Sequence, residues 1–246
     1  MKFEIQERDI QVMKFAFAFR AVTCSQILRR HFKESNEAYA LRRIRQLTEE
    51  GFLDVSSAFF KNRPVKVLLP NPSIWQHIAE KWPYAIDNPL FKSESPEHDV
   101  RLAEIFLRLE MLATFRNFFS ENLLQSSAAI ARAANLRDTT KTQSDGLIAL
   151  DFGNGSLKRY AVELEITRKA PERYREKLLS YYLAEGIDGV IYITANEEIR
   201  TLVAKADKSV CNGERSRVYL TLESNLVSNE ANPIFTTTEG YSLELV

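Results

Sequence analysis

Cysteine is scarce in this chain. Its two cysteines, Cys24 and Cys211, lie far apart and have no nearby cysteine or histidine at ligand spacing. This excludes a disulfide framework and a structural zinc site and predicts a reduced, cytoplasmic protein. Glycine and proline are also few, eight of each, which excludes collagen-like and low-complexity composition. The three histidines, His31, His77 and His98, share no ligand-set spacing, so no metal role attaches to them. No apolar run approaches the roughly 20 residues that a bilayer span needs, the runs at 15–19 and 189–194 being far shorter. The first eight residues already carry Lys2, Glu4, Glu7 and Arg8, which is not the apolar core of a signal peptide and predicts no export.

Net charge is absent too, with 33 Lys and Arg against 33 Asp and Glu. The balance hides an asymmetry, because residues 1–70 hold 13 basic against 8 acidic side chains and the remainder holds 20 against 25. A basic front and an acidic rear suggest an anion-binding module joined to a unit whose carboxylates have another task. With 45% hydrophobic residues over 246 positions, a sizeable core is expected, and the length suits two domains. The boundary is expected near residue 90, in the proline-containing polar stretch 83–97, giving domains 1–90 and 91–246.

In the front part, residues 6–20 place Ile10, Met13 and Phe17 at helical spacing, and Thr23 is suited to cap a short second helix over 24–32. Ser35 is expected to cap a third helix that Gly51 stops, with Leu41, Ile44 and Leu47 facing inward. Two strand-like runs follow, FLDVSS and PVKVLLP, joined by a basic turn at 61–63. This order resembles a winged helix-turn-helix, in which the third helix enters the DNA major groove and the hairpin follows the backbone. Asn36, Arg42, Arg43, Arg45 and Gln46 then fall on or near the exposed faces as donors to phosphates and base edges, and Lys61, Arg63 and Lys66 belong to the wing. The alternative is a solvated basic helix in a small domain used for protein contact.

In the rear part, residues 98–124 are apolar at three- and four-residue spacing and predict one long helix, with a polar stretch to 143. SDGLIALDF and LKRYAVELEIT flank Asn154-Gly155, the strongest short-range hairpin signal. A helix from Pro171 to Gly186, the buried-type strand GVIYIT, the helix NEEIRTLVAKAD and the strand SRVYLTLES complete a three-layer α/β arrangement on a mixed sheet.

Asp145 begins the first strand of that hairpin, and Glu163 and Glu165, two apart on the second, share a face. Acids stand where a half-buried strand ordinarily carries apolar groups, and like charges desolvated together need a cation or a base. An oxygen-lined pocket of this kind suits Mg²⁺ or Mn²⁺, which can lower the pKa of bound water and balance charge on a phosphodiester. Lys177, on the following helix, can reach the site, whereas Lys169 falls in the turn.

SDGL at 144–147 and VELE at 162–165 resemble the PD-(D/E)xK nuclease motif, with Ser144 in place of the proline and Glu165 where the motif lysine usually stands. In some members the lysine has moved to the following helix, a place that Lys177 fills. The fold this implies is α+β, a winged helix followed by a restriction-endonuclease-like domain. Together with HDVRLAE at 98–104 and the Lys177-x3-Tyr181 spacing, residues 6–195 are similar to the replication-relaxation group, in particular the MobC-type plasmid mobilisation relaxases. The resemblance implies a site- and strand-specific endonuclease nicking an origin of transfer, with Asp145, Glu163, Glu165 and Lys177 as active residues. Implied partners are double-stranded plasmid DNA, an accessory mobilisation protein and a coupling ATPase.

Glu104 is either a further acid at this site or a solvated helix residue. Tyr181 and Tyr182 read as helix core rather than as nucleophiles, so hydrolysis by water is expected. Two other functions fit the same residues. One is a non-catalytic DNA-binding initiator or regulator with a nuclease-like dimerisation domain, which Glu165 at the lysine position favours. The other is a restriction-type double-strand nuclease, which needs paired sites.

Overall fold

The computed structural model describes residues 3–60, 63–133, 143–153, 157–213, 215–228 and 233–244. The chain forms two compact units, residues 1–107 with 125–129 and residues 108–124 with 130–246. Residues 98–107, the first part of the long helix expected to open the rear domain, therefore belong to the front unit.

The front unit is built on three helices, α1 (Glu7–Phe19), α2 (Cys24–His31) and α3 (Glu37–Glu49). Each helix has a local start signal. The Gln6 amide donates to Oδ2 of Asp9 at 2.7 Å. Thr23 and Gln26 exchange reciprocal side-chain-to-backbone bonds of 3.2 and 2.9 Å, a capping box. Asn36, not the expected Ser35, caps α3, its carbonyl oxygen accepting from the Ala38 amide at 2.9 Å. Gly51, at φ +76°, ends α3, and the Phe52 amide donates back to the Leu47 carbonyl at 2.9 Å.

The chain then forms an antiparallel hairpin, β1 (Leu53–Phe60) and β2 (Arg63–Pro70), in register from Leu53 opposite Pro70 to Phe60 opposite Arg63. Val22, between α1 and α2, exchanges two hydrogen bonds with Leu68 of β2, which ties the helices to the hairpin. Val12, Phe15, Phe17, Ile27, Leu47, Leu53 and Leu68 are buried within this unit. A short helix α4 (Trp75–Ile78) follows, and α5 (Pro96–Leu109) comes next. Asp99 of α5 pairs with Arg20 at 3.2 Å, and Val100 joins Ala21, Ala58 and Val67 in the core of the front unit.

In the rear unit the described strands form one mixed sheet of order β3 (Phe115–Ser120), β4 (Gly146–Asp151), β5 (Leu157–Glu165), β6 (Gly189–Thr194), β7 (Val218–Leu222), β8 (Ile234–Thr236) and β9 (Ser242–Glu244). The pairs β5–β6 and β6–β7 are parallel and the others antiparallel. The helices α6 (Glu121–Ser126) and α7 (Ala128–Ala133) lie between β3 and β4 in the chain. The crossovers are α8 (Pro171–Leu183) and α9 (Glu197–Cys211), which pack against each other, and α10 (Glu223–Val227) follows β7. GVIYIT is buried at every position, as a parallel strand covered on both faces must be.

Two expectations are corrected. Residues 98–124 are not one helix: α5 stops at Leu109 and 115–120 form β3, the edge strand beside β4. The aromatic string FRNFF satisfies strand packing as well as a helical stripe, and Gly146 shows the fit, since a Cβ there would come within 2.4 Å of the Phe118 ring. The β4–β5 hairpin forms as expected, while the Asn154-Gly155 turn itself lies outside the described residues.

The second correction concerns α3. Leu41 is exposed and Arg43 is buried, the reverse of the expected facing. Arg43 Nε donates to Oδ1 of the fully buried Asp9 at 2.9 Å, and its Nη2 pairs with Oδ2. The guanidinium also lies 4.3 Å from the Phe3 ring centroid. Losing one partner leaves a buried charge uncompensated, so Asp9→Ala should destabilise the fold by roughly 3–5 kcal/mol. Urea unfolding checks this, with a lowered midpoint at an unchanged m-value as the expected result.

Candidate functional site

The acidic site lies where β4 and β5 meet α8. Gly146, the first residue of β4, pairs with Val162 next to Glu163, and Asp145 immediately precedes it. The Asp145 carbonyl accepts from the Glu121 amide at 2.8 Å, and its Oδ2 accepts from the Leu164 amide at 2.6 Å. Glu163 and Glu165, on one face of β5, are 7% and 4% exposed. Like charges repel, and burial sharpens the repulsion. Burial, and then the Asp145 carboxylate, push the Glu163 carboxyl up to about 7, against the pull of Lys177 and Tyr181.

Helix α8 and the turn before it supply the counter-charges. Lys177 Nζ lies 3.1 Å from Glu163 Oε1 and donates to the Gln143 carbonyl at 2.9 Å. Tyr181, one helical turn later, donates its phenol proton to the same Oε1. Lys169 pairs with Glu165 Oε2 at 2.8 Å. Burial works against the Lys169 charge, but contact with Glu165, reinforced by Glu163 and Asp145, holds its ammonium above the ordinary value. Tyr192, opposite Glu163 on β6, has its phenol pushed well up, by burial first and then by the same three carboxylates. Tyr174 accepts from the Lys169 amide at 2.9 Å.

The structure thus brings together Asp145, Glu163, Glu165 and Lys177, and adds two residues that the sequence placed elsewhere. Lys169, expected in the turn, reaches the acids, and Tyr181, expected in the core, is buried there with its hydroxyl on Glu163. The four-residue spacings Glu165 to Lys169 and Lys177 to Tyr181 were the available signals. Glu104, in contrast, is held by the Arg29 guanidinium, 2.8 Å from Nη1 to Oε1, and by the Gln26 amide at 3.3 Å. Tyr182 turns to a different acid, Asp207.

Among the described residues no group of three or more His, Cys, Asp and Glu side chains is arranged to hold a metal ion. The donor chemistry nonetheless suits one. Among the described residues Lys177 pairs with Glu163 and Lys169 with Glu165, while burial, and then the Asp145 carboxylate, raises the Glu163 carboxyl. Oxygen donors alone are the set that a hard divalent ion such as Mg²⁺ or Mn²⁺ takes, and Asp145, Glu163 and Glu165 are the residues that would hold it. Ser144, at the position of the motif proline, is buried, and its hydroxyl has no hydrogen-bond partner among the described residues.

The basic residues of the front unit divide into two sets. Arg42, Arg45, Arg63 and Lys66 are exposed. Asn36 is exposed but uses its carbonyl oxygen as the α3 cap, and Gln46 is half-buried and accepts from Arg43 at 3.2 Å. Arg43 is committed to Asp9, and Lys61 lies outside the described residues. Neither a protein-family model, nor a curated protein, nor a solved structure matches the chain.

A carboxyl whose pKa is higher in the folded than in the unfolded chain stabilises fully when protonated, and that contribution fades as pH rises through the folded value. Glu163→Gln imitates the protonated form. In metal-free buffer it should melt with the wild type near about pH 4 and above it near about pH 8. Thermal melting across pH checks this, and parallel curves at both pH values would refute it.

Proposed function

We propose that the protein is a metal-dependent DNA endonuclease that recognises a site with its front unit and cuts one strand with its rear unit. The observation that carries this reading is the convergence of Asp145, Glu163 and Glu165 with Lys177 at one end of a mixed sheet. Its strand and helix order, and the helix-borne lysine, suit the PD-(D/E)xK pattern and a restriction-endonuclease-like fold. The front unit suits a winged helix-turn-helix, with α3 after α2, the β1–β2 hairpin as wing, and the Val22–Leu68 bridge joining the helices to the wing. The resemblance to MobC-type relaxases extends the proposal to nicking a plasmid origin of transfer in the cytoplasm, with an accessory mobilisation protein and a coupling ATPase as partners. No described helix is long and apolar enough to cross a membrane.

A divalent ion bound by the three acids would acidify a water and balance charge on the scissile phosphate. The chain's own residues have separate tasks. Asp145 is oriented by the Leu164 amide, so its carboxylate arrives in a fixed pose. Lys177, anchored on the Gln143 carbonyl, carries positive charge to the site edge, where a phosphate oxygen or the attacking water can exchange for Glu163. Lys169, whose side chain is 44% exposed, offers a second ammonium from the solvent side. DNA is held by Arg42 and Arg45 on α3 and by Arg63 and Lys66 on the wing, residues that are exposed.

One observation favours the non-catalytic alternative: each acid already has a protein partner, and Glu165 is tied to Lys169. Plasmid nicking separates the two. With Mg²⁺ or Mn²⁺, supercoiled plasmid carrying the cognate origin should become open circle. Asp145→Ala or Glu163→Ala should slow this at least about 100-fold, the scale of losing several kcal/mol of metal-borne stabilisation, while leaving the gel shift intact. Relaxation by both variants at the wild-type rate would refute the site, and linear product would indicate a paired restriction-type enzyme.

Replacing Arg45 with Ala should weaken DNA binding across sequences and lower the slope of log affinity against log salt by about one. Filter binding over a salt series measures it, and an unchanged slope would remove Arg45 from the DNA-binding face.

A further inference from the structure

Tyr181 and Tyr182 are neighbours on α8, yet their phenols serve different carboxylates. Tyr181 donates to Oε1 of Glu163, and Tyr182 to Oδ1 of Asp207 at 2.7 Å. Successive helical residues project about 100° apart, so only Tyr181 shares a face with Lys177. The Lys177 ammonium lies 5.6 Å from the Tyr181 ring centroid and reaches the same Glu163 oxygen. The backbone of this turn is pinned, because Arg217 donates to the carbonyls of Tyr181 and Tyr182 at 2.9 and 3.1 Å. Tyr181 is 1% exposed, which leaves its phenol little freedom.

The two carboxylates are treated differently. Asp207, fully buried, has both oxygens taken, Oδ1 by Tyr182 and Oδ2 by the hydroxyls of Ser216 and Thr238 at 2.8 and 3.0 Å. Its hydrogen bonding is complete within the protein, as a structural acid requires. Glu163 receives its donors from the described residues on Oε1 alone. A hydrogen bond from a supporting residue to a ligating carboxylate fixes which oxygen faces the ligand, and loss of such a partner typically weakens metal binding 10–100-fold.

We infer that Tyr181 is a positioning residue of the acidic site: with the Lys177 ammonium its phenol holds Oε1 of Glu163, leaving the other oxygen of that carboxylate as the one offered to a divalent cation. This rests on the metal-dependent reading proposed above. Tyr182 provides the internal control, a phenol on the same helix hydrogen-bonded to a buried acid that has no oxygen left to offer.

The test is Mn²⁺ binding by the chelator-treated full chain, followed by calorimetry. Tyr181→Phe should weaken Mn²⁺ binding about tenfold, whereas Tyr182→Phe should leave it within about twofold. Wild-type affinity in Tyr181→Phe, or an equal loss in both variants, overturns the inference while the metal site stands. A wild-type chain that takes up no Mn²⁺ overturns the metal-dependent reading itself. Should Tyr181→Phe not fold, 3-fluorotyrosine placed at position 181 keeps the hydroxyl, and its fluorine resonance should move on titration with Mg²⁺ while the same label at 182 does not. A label at 181 that ignores Mg²⁺ overturns the inference.

Discussion

The Asp145 carboxylate bears on the buried Glu163 carboxyl, and the rear unit is arranged around that repulsion. Burial removes the water that would screen them. Relief therefore has to come from outside the pair, and the fold supplies it from the crossover after β5. The crossover to the parallel neighbour β6 runs through α8. Lys177 and Tyr181, one turn apart, then meet Glu163, while Lys169, four residues past Glu165, closes on the strand end. Burial first, and then the Asp145 carboxylate, still holds the Glu163 carboxyl up against the pull of Lys177 and Tyr181. Such a site differs physically from the fully bonded Asp207, although both are buried acids in one unit.

The front unit shows the opposite use of charge. Arg43 and Asp9 are buried together, with good geometry and a second carbonyl partner at Glu4 for the guanidinium. Such a pair fixes how α1 and α3 sit and makes the replacement of either partner costly. It also removes from the exposed face an arginine that a helical wheel built on Leu41 would place outside. What remains exposed on α3, Arg42 and Arg45, sits three apart, as neighbours on a helix surface.

Much of this was legible in the sequence, and each failure has a physical source. The Asn154-Gly155 signal between SDGLIALDF and LKRYAVELEIT, and the continuous apolar run GVIYIT, specify strands because a tight hairpin turn and full burial leave few alternatives. The acids stood out because they interrupt that pattern. The third helix was located correctly but rotated, since an arginine counts as polar until its buried partner is known, and Asp9 is 34 residues away. The strand at 115–120 was hidden because Phe and Leu suit both periods, and only pairing with β4 decides between them. Tyr181 was hidden differently: an apolar ring at a core position is what packing requires, and the hydroxyl's role depends on β5, which no local pattern reports.

The place of the lysine follows from the same constraint. A motif lysine at position 165 would bring one ammonium along the strand, in line with Glu163. Here that position carries a carboxylate, so the strand end holds two acids and the compensating charge must enter from the side. Two lysines do so, each within hydrogen-bonding distance of one glutamate. On the metal-dependent reading proposed above, Glu165 then serves as a further oxygen donor rather than as a missing ammonium. For a divalent ion to bind Glu165, Lys169 would have to yield its place. Its half-exposed side chain can swing away, but Glu165 is buried, so the ammonium can leave only as another cation takes its place.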